Sequence, residues 1–533
     1  MDTVIRKRLH ARNMTRGGSL CLAIAAAGAL ALTGLGPVGV AQADGPVYLD
    51  TSYTFEERAA DLVSRMTYDE KKLQFTASTP AIARLNVRSY NYWHEALHGV
   101  ATAQTTMYPS APGIASTWNR SLVNQMGSQI GDEARAWYNA SPSSNGLTFW
   151  SPTVNIARDP RWGRADESYG EDPYFVGQIG GEYTKGMQGT DPKYLKAAST
   201  PKHFFANNSE SNRRNGNSVI TERELREYYT PAFAYEMGPE VKARSFMTAY
   251  NRVNGTPISS SYYYLQTLAR RTWGFDGHIT SDCSAVSDTQ NRHFWQPEGW
   301  THKIDRAEAI MWTLKAGTDI DCQDNWYNVQ VEAGYVRGLV SEADIDSELV
   351  RMYTTRMMFG EFDPASTVPY AGSDYTVDSQ RRAPDHQATA LQMSQEAPVL
   401  LKNDPIGGFA GTSQGRLGLP LTAADAENVV VVGYMADAFT TGGYSGTNPI
   451  DQRSIRQGIE QVATQVNPDA SVTYMDGVTP NAVFKPGVRE VHFRSSSAPS
   501  PSLKFITPDT MGMPNQLVDP VAVDKISEWE GWM

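Results

Sequence analysis

The sequence has little cysteine, 3 residues among 533, and no cluster of lysine and arginine after position 16. Its formal net charge of −11 argues against a nucleic-acid partner, because a phosphate backbone requires a basic protein surface. Hydrophobic residues at 40 % and aromatic residues at 10 % are typical of a globular protein. The length predicts more than one domain.

The first 43 residues resemble a secretory signal. An apolar stretch over residues 20–36 is followed by the small residues of AQAD, and cleavage is predicted after Ala43. The stretch is too short and too broken by glycine to favour a permanent membrane span. A cleaved signal is therefore the preferred interpretation, and a retained membrane anchor is the alternative. Removal of Cys21 with the signal leaves Cys283 and Cys322, which are candidates for pairing in an exported chain. The basic residues before the apolar stretch are Arg6, Lys7, Arg8, Arg12 and Arg16.

Helical and strand patterns alternate between residues 50 and 360, which predicts an α/β fold with a (β/α) TIM-type barrel. The clearest helical pattern covers residues 55–74, with Ala59, Leu62, Val63, Met66 and Leu73 on one face. The strand candidates are residues 147–156, 195–205, 243–251, 276–282 and 316–322.

Residues 361–387 lack apolar periodicity and are predicted to be a linker. A second α/β sandwich domain is predicted over residues 388–533, with helices at 388–401 and 454–466 and a buried strand at 428–434. The pattern fades after Asp476, so this domain is expected to be incomplete.

Polar clusters follow several of the barrel strand candidates. Lys202 and His203 come directly after one strand, and Asp282 ends the strand in GFDGHITSD. Loops leaving the carboxyl ends of barrel strands converge, so these side chains are expected to meet. Asp282 has the placement of a carboxylate nucleophile, while cation binding or helix capping are the alternatives.

An arginine-rich stretch, residues 157–175, offers guanidinium groups suited to sugar hydroxyls or carboxylates. A salt-bridged loop without a ligand is the alternative for most of its charges. A separate stretch, HEALH at His94 to His98, fits the H-E-x-x-H pattern of zinc peptidases, in which Glu95 is the base. Gly99 weakens the helix that this pattern requires, and a packed His–Glu pair is the alternative.

Six motifs in order resemble glycoside hydrolase family 3, a family of exo-acting β-glucosidases, β-xylosidases and relatives. The resemblance is dense over residues 55–360 and looser over residues 388–450, and it argues against the zinc peptidase. The motifs are LVSRMTYDEK, WHEALHGV, NIARDPRWGRADESYGEDPYFVG, PKHFFANN, FMTAYNRVNGTP and WGFDGHITSD.

The resemblance implies Asp282 as the nucleophile and a set of residues that hold the terminal sugar. KHFFANNSE lacks the pattern of the N-acetylglucosaminidase branch, so that substrate is not expected. The implied sugar-binding residues are Glu95, Arg161, Lys202, His203, Arg213 and Tyr250.

A retaining mechanism also needs a second carboxyl group, which protonates the leaving oxygen. The family takes this acid/base from a glutamate of its second domain, but no glutamate here lies in a matching motif. Glu460, Glu490, Glu528 and Glu530 are therefore left without a role. The resemblance implies no metal, no cofactor and no obligate protein partner.

The stretch SDC, together with the second cysteine in AGTDIDC, resembles the β-xylosidase branch, which implies a Cys283–Cys322 disulfide beside the sugar. Such a disulfide crowds the space that the hydroxymethyl group of glucose needs. Xylose is therefore expected, arabinose is a second sugar that the site could tolerate, and glucose is the alternative. A catalytically silent sugar-binding barrel, from a truncated product, is the alternative of a different class.

Overall fold

A computed structural model describes residues 45–322, 326–406, 416–447, 449 and 452–475 of the protein. The predicted signal segment lies outside these residues, as do Glu490, Glu528 and Glu530. Among the described helices, none is long and apolar enough to cross a membrane.

The helices alternate with short strands along the chain. Helices α1 to α7 are Phe55–Ser64, Tyr68–Lys71, Ala111–Ser116, Arg120–Ala140, Pro173–Gln188, Glu222–Glu224 and Pro231–Met237. Helices α8 to α14 are Ala285–Asn291, Arg306–Ala316, Trp326–Val336, Glu342–Met358, Val377–Gln380, Pro384–Glu396 and Ile455–Val466. Two π-helical segments occur between α6 and α8 along the chain. They are Leu225–Tyr229, directly after α6, and Tyr263–Thr272.

The strands are mostly two to five residues long. Strands β1 to β7 are Ser78–Thr79, Tyr90–Asn91, Thr148–Phe149, Ala198–Ser199, Asn217–Ser218, Ser245–Thr248 and Arg252–Val253. Strands β8 to β13 are Thr256–Pro257, His278–Ser281, Pro405–Ile406, Arg416–Leu417, Asn428–Val432 and Ser471–Met475.

The barrel strands close into a ring. β1 pairs with β2 in antiparallel fashion, whereas β3 pairs with β4, and β6 with β9, in parallel. Single parallel bridges connect the remaining neighbouring segments of the ring. The ring is therefore the predicted barrel, except that its first pair, β1 and β2, is antiparallel. These bridges are His94 to Phe149, Thr153 to Lys202, Phe204 to Thr248, Thr280 to Ile320 and Thr76 to Asp321.

The helix predicted over residues 55–74 is two helices. α1 ends at Ser64, and α2 starts after Thr67, whose side chain accepts a hydrogen bond from the Glu70 amide in a capping box. This new cap starts a separate helix. Leu73 is consequently 43 % exposed, although its predicted partners on the apolar face are buried.

The second α/β unit is present in part. The predicted helices correspond to α13 and α14, although α13 ends at Glu396 rather than at residue 401. β12 pairs in parallel with β13 and is not the buried strand that was predicted, because Val430 is 55 % exposed and Val432 is 48 % exposed. The predicted linker contains α12 and the start of α13, and its Tyr370 is buried against Tyr194.

Glycines bring α4 and α5 into backbone contact on the outside of the barrel. A Cβ atom at Gly186 would lie 2.1 Å from the Asn124 carbonyl oxygen, and one at Gly127 would lie 2.4 Å from that of Tyr183. Backbone atoms cannot move aside as a flexible side chain does. The two helices therefore pack this closely only because both positions lack a side chain.

Gly186→Ala is expected to lower the free energy of unfolding by about 1–3 kcal/mol, because the added methyl group overpacks the α4–α5 contact. The matched control is Gly458→Ala in α14, where a Cβ atom meets nothing within 4 Å. The control is expected to retain or slightly raise stability, since alanine is the better helix former. Thermal unfolding followed by circular dichroism compares the two variants, and equal midpoints would contradict the close contact.

Candidate active site

Asp282 stands at the carboxyl end of β9. The parallel register runs from Ser245 and His278 to Thr248 and Ser281, and the Asp282 amide extends it by donating to the Thr248 carbonyl at 3.0 Å. One carboxylate oxygen, Oδ1, accepts a hydrogen bond from the Cys283 amide at 2.8 Å. The other, Oδ2, has no hydrogen-bond partner within the described residues. The carboxylate is thus held by rigid backbone with one oxygen left to react.

His203 lies next to this free oxygen. Its Nε2 atom is 3.7 Å from Asp282 Oδ2, which is too long for a hydrogen bond. Burial lowers the pKa of His203 well below its ordinary value, so the imidazole is neutral beside the carboxylate. Nearby cations lower this pKa further, and they are Arg164, Lys202 and Arg213.

Lys202 and Glu95 form a buried ion pair. Lys202 Nζ lies 2.9 Å from Glu95 Oε2, and Glu95 Oε1 accepts a hydrogen bond from Trp93 Nε1 at 3.2 Å. Burial raises the pKa of Glu95, whereas Lys202 acts to lower it. The ammonium and the carboxylate together offer donors and acceptors to the hydroxyl groups of a ligand.

Arg213 and Tyr250 lie close to each other and interact with the charge of Asp282. The Arg213 guanidinium is 4.7 Å from the centre of the Tyr250 ring and donates to Glu210 Oε2 at 3.0 Å. Burial is the largest influence and acts to lower the pKa of Arg213, but Asp282, Tyr250 and Glu210 together outweigh it, and the pKa is raised. Burial and Asp282 both raise the pKa of Tyr250, which therefore keeps its proton and can donate it in a hydrogen bond.

Arg161 does not join this cluster, contrary to the sequence-based expectation. Its side chain is 84 % exposed and pairs with Asp159 on its own loop. Arg164, three residues further on, is buried and binds Glu167 through two hydrogen bonds of 2.7 Å. The sequence pattern identified the arginine-rich stretch, but only packing decides which guanidinium faces inward.

Tyr444, from the loop before α14, also enters the cluster and was not predicted. Lys202 Nζ lies 4.2 Å from the centre of its ring, and Arg164 Nη2 donates to its hydroxyl at 3.4 Å. The pKa of Tyr444 is raised by burial, and the nearby carboxylates Glu167, Glu95 and Asp282 contribute. The glycine-rich stretch GGYSGTNP was the only signal in the sequence for this residue.

His94, Glu95 and His98 do not form a zinc site, which corrects the alternative based on HEALH. The segment is not helical, so the two imidazoles do not share a face. His94 Nε2 accepts from the Gly146 amide at 2.7 Å, while His98 lies between the carbonyl oxygens of Tyr108 and Gly443. Throughout the described part of the chain, no group of three or more His, Cys, Asp or Glu side chains could hold a metal ion.

A disulfide joins Cys283 to Cys322, with their Cα atoms 4.5 Å apart. The bridge packs into a small apolar cluster with Trp150 and Met247, and Trp93 packs against the same cluster. Cys283 follows Asp282 directly and Trp93 binds Glu95, so this cluster is connected to both carboxylates of the site.

The acid/base remains without a candidate in the described chain segments. Glu460 is exposed on α14 and pairs with Arg456 at 2.9 Å, so it does not face Asp282. The other sequence candidates lie outside the described residues. The cluster brings together most of the predicted residues, namely Glu95, Lys202, His203, Arg213, Tyr250 and Asp282.

Residues 83–358 match the family model described as "Glycosyl hydrolase family 3 N terminal domain". The chain is 32 % identical over 445 residues to a xylan 1,4-beta-xylosidase of Xylanibacter ruminicola, covering 81 % of this chain and 47 % of that protein. It is 34 % identical over 429 residues to an exo-1,4-beta-xylosidase of Emericella nidulans, covering 76 % and 50 %. The chain therefore spans about half the length of the curated relatives it matches.

Solved structures resemble the same part of the chain. A GH3 exo-beta-xylosidase in complex with a xylobiose aziridine activity-based probe superimposes with a TM-score of 0.71 and 31 % identity, covering 83 % of this chain and 55 % of that one. A β-glucosidase from Erythrobacter marinus gives a TM-score of 0.67 at 23 % identity, covering 82 % and 62 %. This second likeness concerns the fold alone.

Arg164→Leu is expected to lower the free energy of unfolding by about 3–5 kcal/mol, because it leaves the buried Glu167 carboxylate without its partner. Arg161→Leu is the matched control and is expected to leave the unfolding midpoint unchanged, since that side chain is exposed. Chemical unfolding of both variants measures the difference. An equal loss in the two variants would contradict the distinction between the inward and the outward arginine.

Proposed function

The chain belongs to glycoside hydrolase family 3, and on this premise we propose that it is an exo-acting, retaining β-glycosidase. Its proposed substrates are xylo-oligosaccharides from plant polysaccharides, from which it releases terminal β-linked D-xylose. The observation that supports this proposal is the Asp282 carboxylate, one oxygen of which has no hydrogen-bond partner within the described residues, among buried groups that suit sugar hydroxyls. The names of the similar proteins favour xylose as the sugar.

Asp282 Oδ2 is the proposed attacking atom. It would form a bond to the anomeric carbon as the glycosidic bond breaks, and water would later release the sugar from the resulting ester. The hydrogen bond from the Cys283 amide keeps Oδ1 occupied, which orients Oδ2 toward the substrate.

The buried charges are proposed to act on the hydroxyl groups of the terminal sugar. Glu95 can accept and Lys202 can donate, and both are held by their ion pair before a sugar arrives. Contacts of this kind strengthen as the ring gains oxocarbenium character, so they favour the transition state. No step of this proposal calls for a metal or an organic cofactor.

Export from the cell is part of the same proposal. It depends on the first 43 residues, whose composition is that of a secretory signal. The Cys283–Cys322 disulfide supports it, because disulfides persist in oxidising compartments.

A sugar-binding protein without catalysis is the second candidate. It is favoured by one observation, that Glu460 on α14 is exposed and pairs with Arg456. Such a protein would bind xylose through the same residues and show no turnover. Isothermal titration with xylose, next to the activity assay below, separates the two candidates.

Asp282→Ala is expected to lower the hydrolysis rate of nitrophenyl β-xyloside by a factor on the order of 10⁴, because the glycosyl ester can no longer form. Nitrophenolate leaves without much help from an acid, so the assay isolates the nucleophile. Asp276→Ala in the same stretch is the matched control, since Asp276 is 70 % exposed and pairs with Arg244.

Added azide is expected to restore turnover of the Asp282→Ala variant and to yield the α-xylosyl azide, because a single displacement inverts the anomeric carbon. Full activity of the variant without azide would contradict the assignment of Asp282. Loss of activity in Asp276→Ala to the same extent would point to a general structural effect.

Replacement of both Cys283 and Cys322 by alanine is expected to reduce the preference for xyloside over glucoside by about tenfold, since it opens space for a hydroxymethyl group. The measurement is the ratio of kcat/KM for the two nitrophenyl glycosides. General destabilisation affects both substrates alike and cancels in this ratio. An unchanged ratio would show that the disulfide does not select the sugar.

A further inference from the structure

Asn155 holds the backbone of His203 from both sides. The Asn155 Nδ2 group donates to the His203 carbonyl at 2.9 Å, and Asn155 Oδ1 accepts from the His203 amide at 2.7 Å. Asn155 is 2 % exposed and follows the bridge between Thr153 and Lys202. These two contacts fix the orientation of the amide, because a flipped amide would place donor against donor and acceptor against acceptor.

The fixed amide in turn determines where the imidazole carries its proton. His203 Nδ1 lies 3.1 Å from the same Asn155 Oδ1, which can only accept. Nδ1 must therefore be the protonated nitrogen. In a neutral imidazole the other nitrogen, Nε2, then carries a lone pair and accepts hydrogen bonds.

We propose that Asn155 is a positioning residue that keeps the proton of His203 on Nδ1 and so presents Nε2 to the site as an acceptor. Nε2 and Asp282 Oδ2 then form two acceptors 3.7 Å apart. A sugar hydroxyl that reaches Nε2 has to donate its hydrogen to the imidazole, and Asp282 receives no proton from His203. This role in catalysis rests on the proposed function, whereas the position of the proton does not.

The charges around the imidazole support a neutral state. Asp282 is the anion that faces Nε2 and favours the imidazolium. Burial disfavours the positive charge of the imidazolium most strongly. Three nearby cations disfavour it further, namely Arg164, Lys202 and Arg213. The amide of Asn155, in contrast to a carboxylate, adds no charge that would favour protonation.

The position of the proton can be observed directly. Long-range proton–nitrogen correlation spectra of the protein with nitrogen-15 histidine distinguish the two neutral tautomers and the imidazolium. The chain has 9 histidines, and the His203 signals are those missing from the His203→Gln variant. We expect a protonated Nδ1 and an unprotonated Nε2 between about pH 5 and 8. A proton on Nε2 would overturn the proposal, whatever the enzyme's activity.

Asn155→Asp tests the role of the amide with little change of shape. The new carboxylate beside Nδ1 is expected to raise the pKa of His203, so that the imidazolium forms as the pH falls and pairs with Asp282. The acid limb of kcat/KM against pH should therefore move to higher pH by about one unit or more. The histidine spectra should show the imidazolium over the same range.

Asn208→Asp is the matched control, since Asn208 donates to the Ile156 carbonyl at 2.8 Å, whereas in the described part of the chain it makes no hydrogen bond to His203. It adds the same charge to the neighbourhood, and we expect the acid limb to stay in place. An equal shift in both variants would overturn the proposal. If wild type shows no turnover, the proposed function fails while the spectra of wild type and Asn155→Asp still decide the role of Asn155.

Discussion

The site depends on the parallel pairing of β6 with β9. This ladder ends with the Asp282 amide bound to the Thr248 carbonyl, and Tyr250 follows two residues after Thr248. The nucleophile candidate and its neighbouring aromatic hydroxyl are therefore positioned by backbone hydrogen bonds rather than by flexible side chains. Rigid placement of this kind lowers the cost of orienting a reacting group. Lys202 and His203 come from the neighbouring strand of the ring, which a parallel bridge between Phe204 and Thr248 joins to β6.

Buried charge is the second constraint on the site. Taking an ion out of water is costly unless a partner compensates it, and the cluster meets this requirement with pairs. Lys202 pairs with Glu95, and Arg164 pairs with Glu167, so their charges are fixed before a ligand binds. His203 meets the same requirement differently, since burial and adjacent cations keep it neutral. The site thus combines fixed ions with one neutral acceptor.

The second α/β unit contributes to the site through one loop. Tyr444 covers Lys202 and Arg164, and the same loop binds the barrel through His98, whose Nε2 lies 3.2 Å from the Gly443 carbonyl oxygen. His98, which belongs to the stretch that resembles a zinc motif, thus connects the barrel to the loop of the second α/β unit. The exposed valines of β12 show that the described part of this unit leaves apolar surface uncovered.

The sequence by itself predicted the barrel and pointed to Lys202, His203 and Asp282, because strand periodicity and the polar residues that end each strand are local features. Glu95, Arg213 and Tyr250 were implied only by the resemblance of the motifs to the family. The sequence also predicted that Asp282 faces the rim. The break between α1 and α2 follows from the local capping box of Thr67 and Glu70, which the apolar periodicity alone did not reveal. Local pattern could not separate Arg161 from Arg164 and could not find Tyr444. Only the tertiary structure decided these points, together with the clamp of Asn155 on His203. They depend on which side chains become buried and on contacts between residues far apart in the chain, and those contacts exist only once the ring has closed.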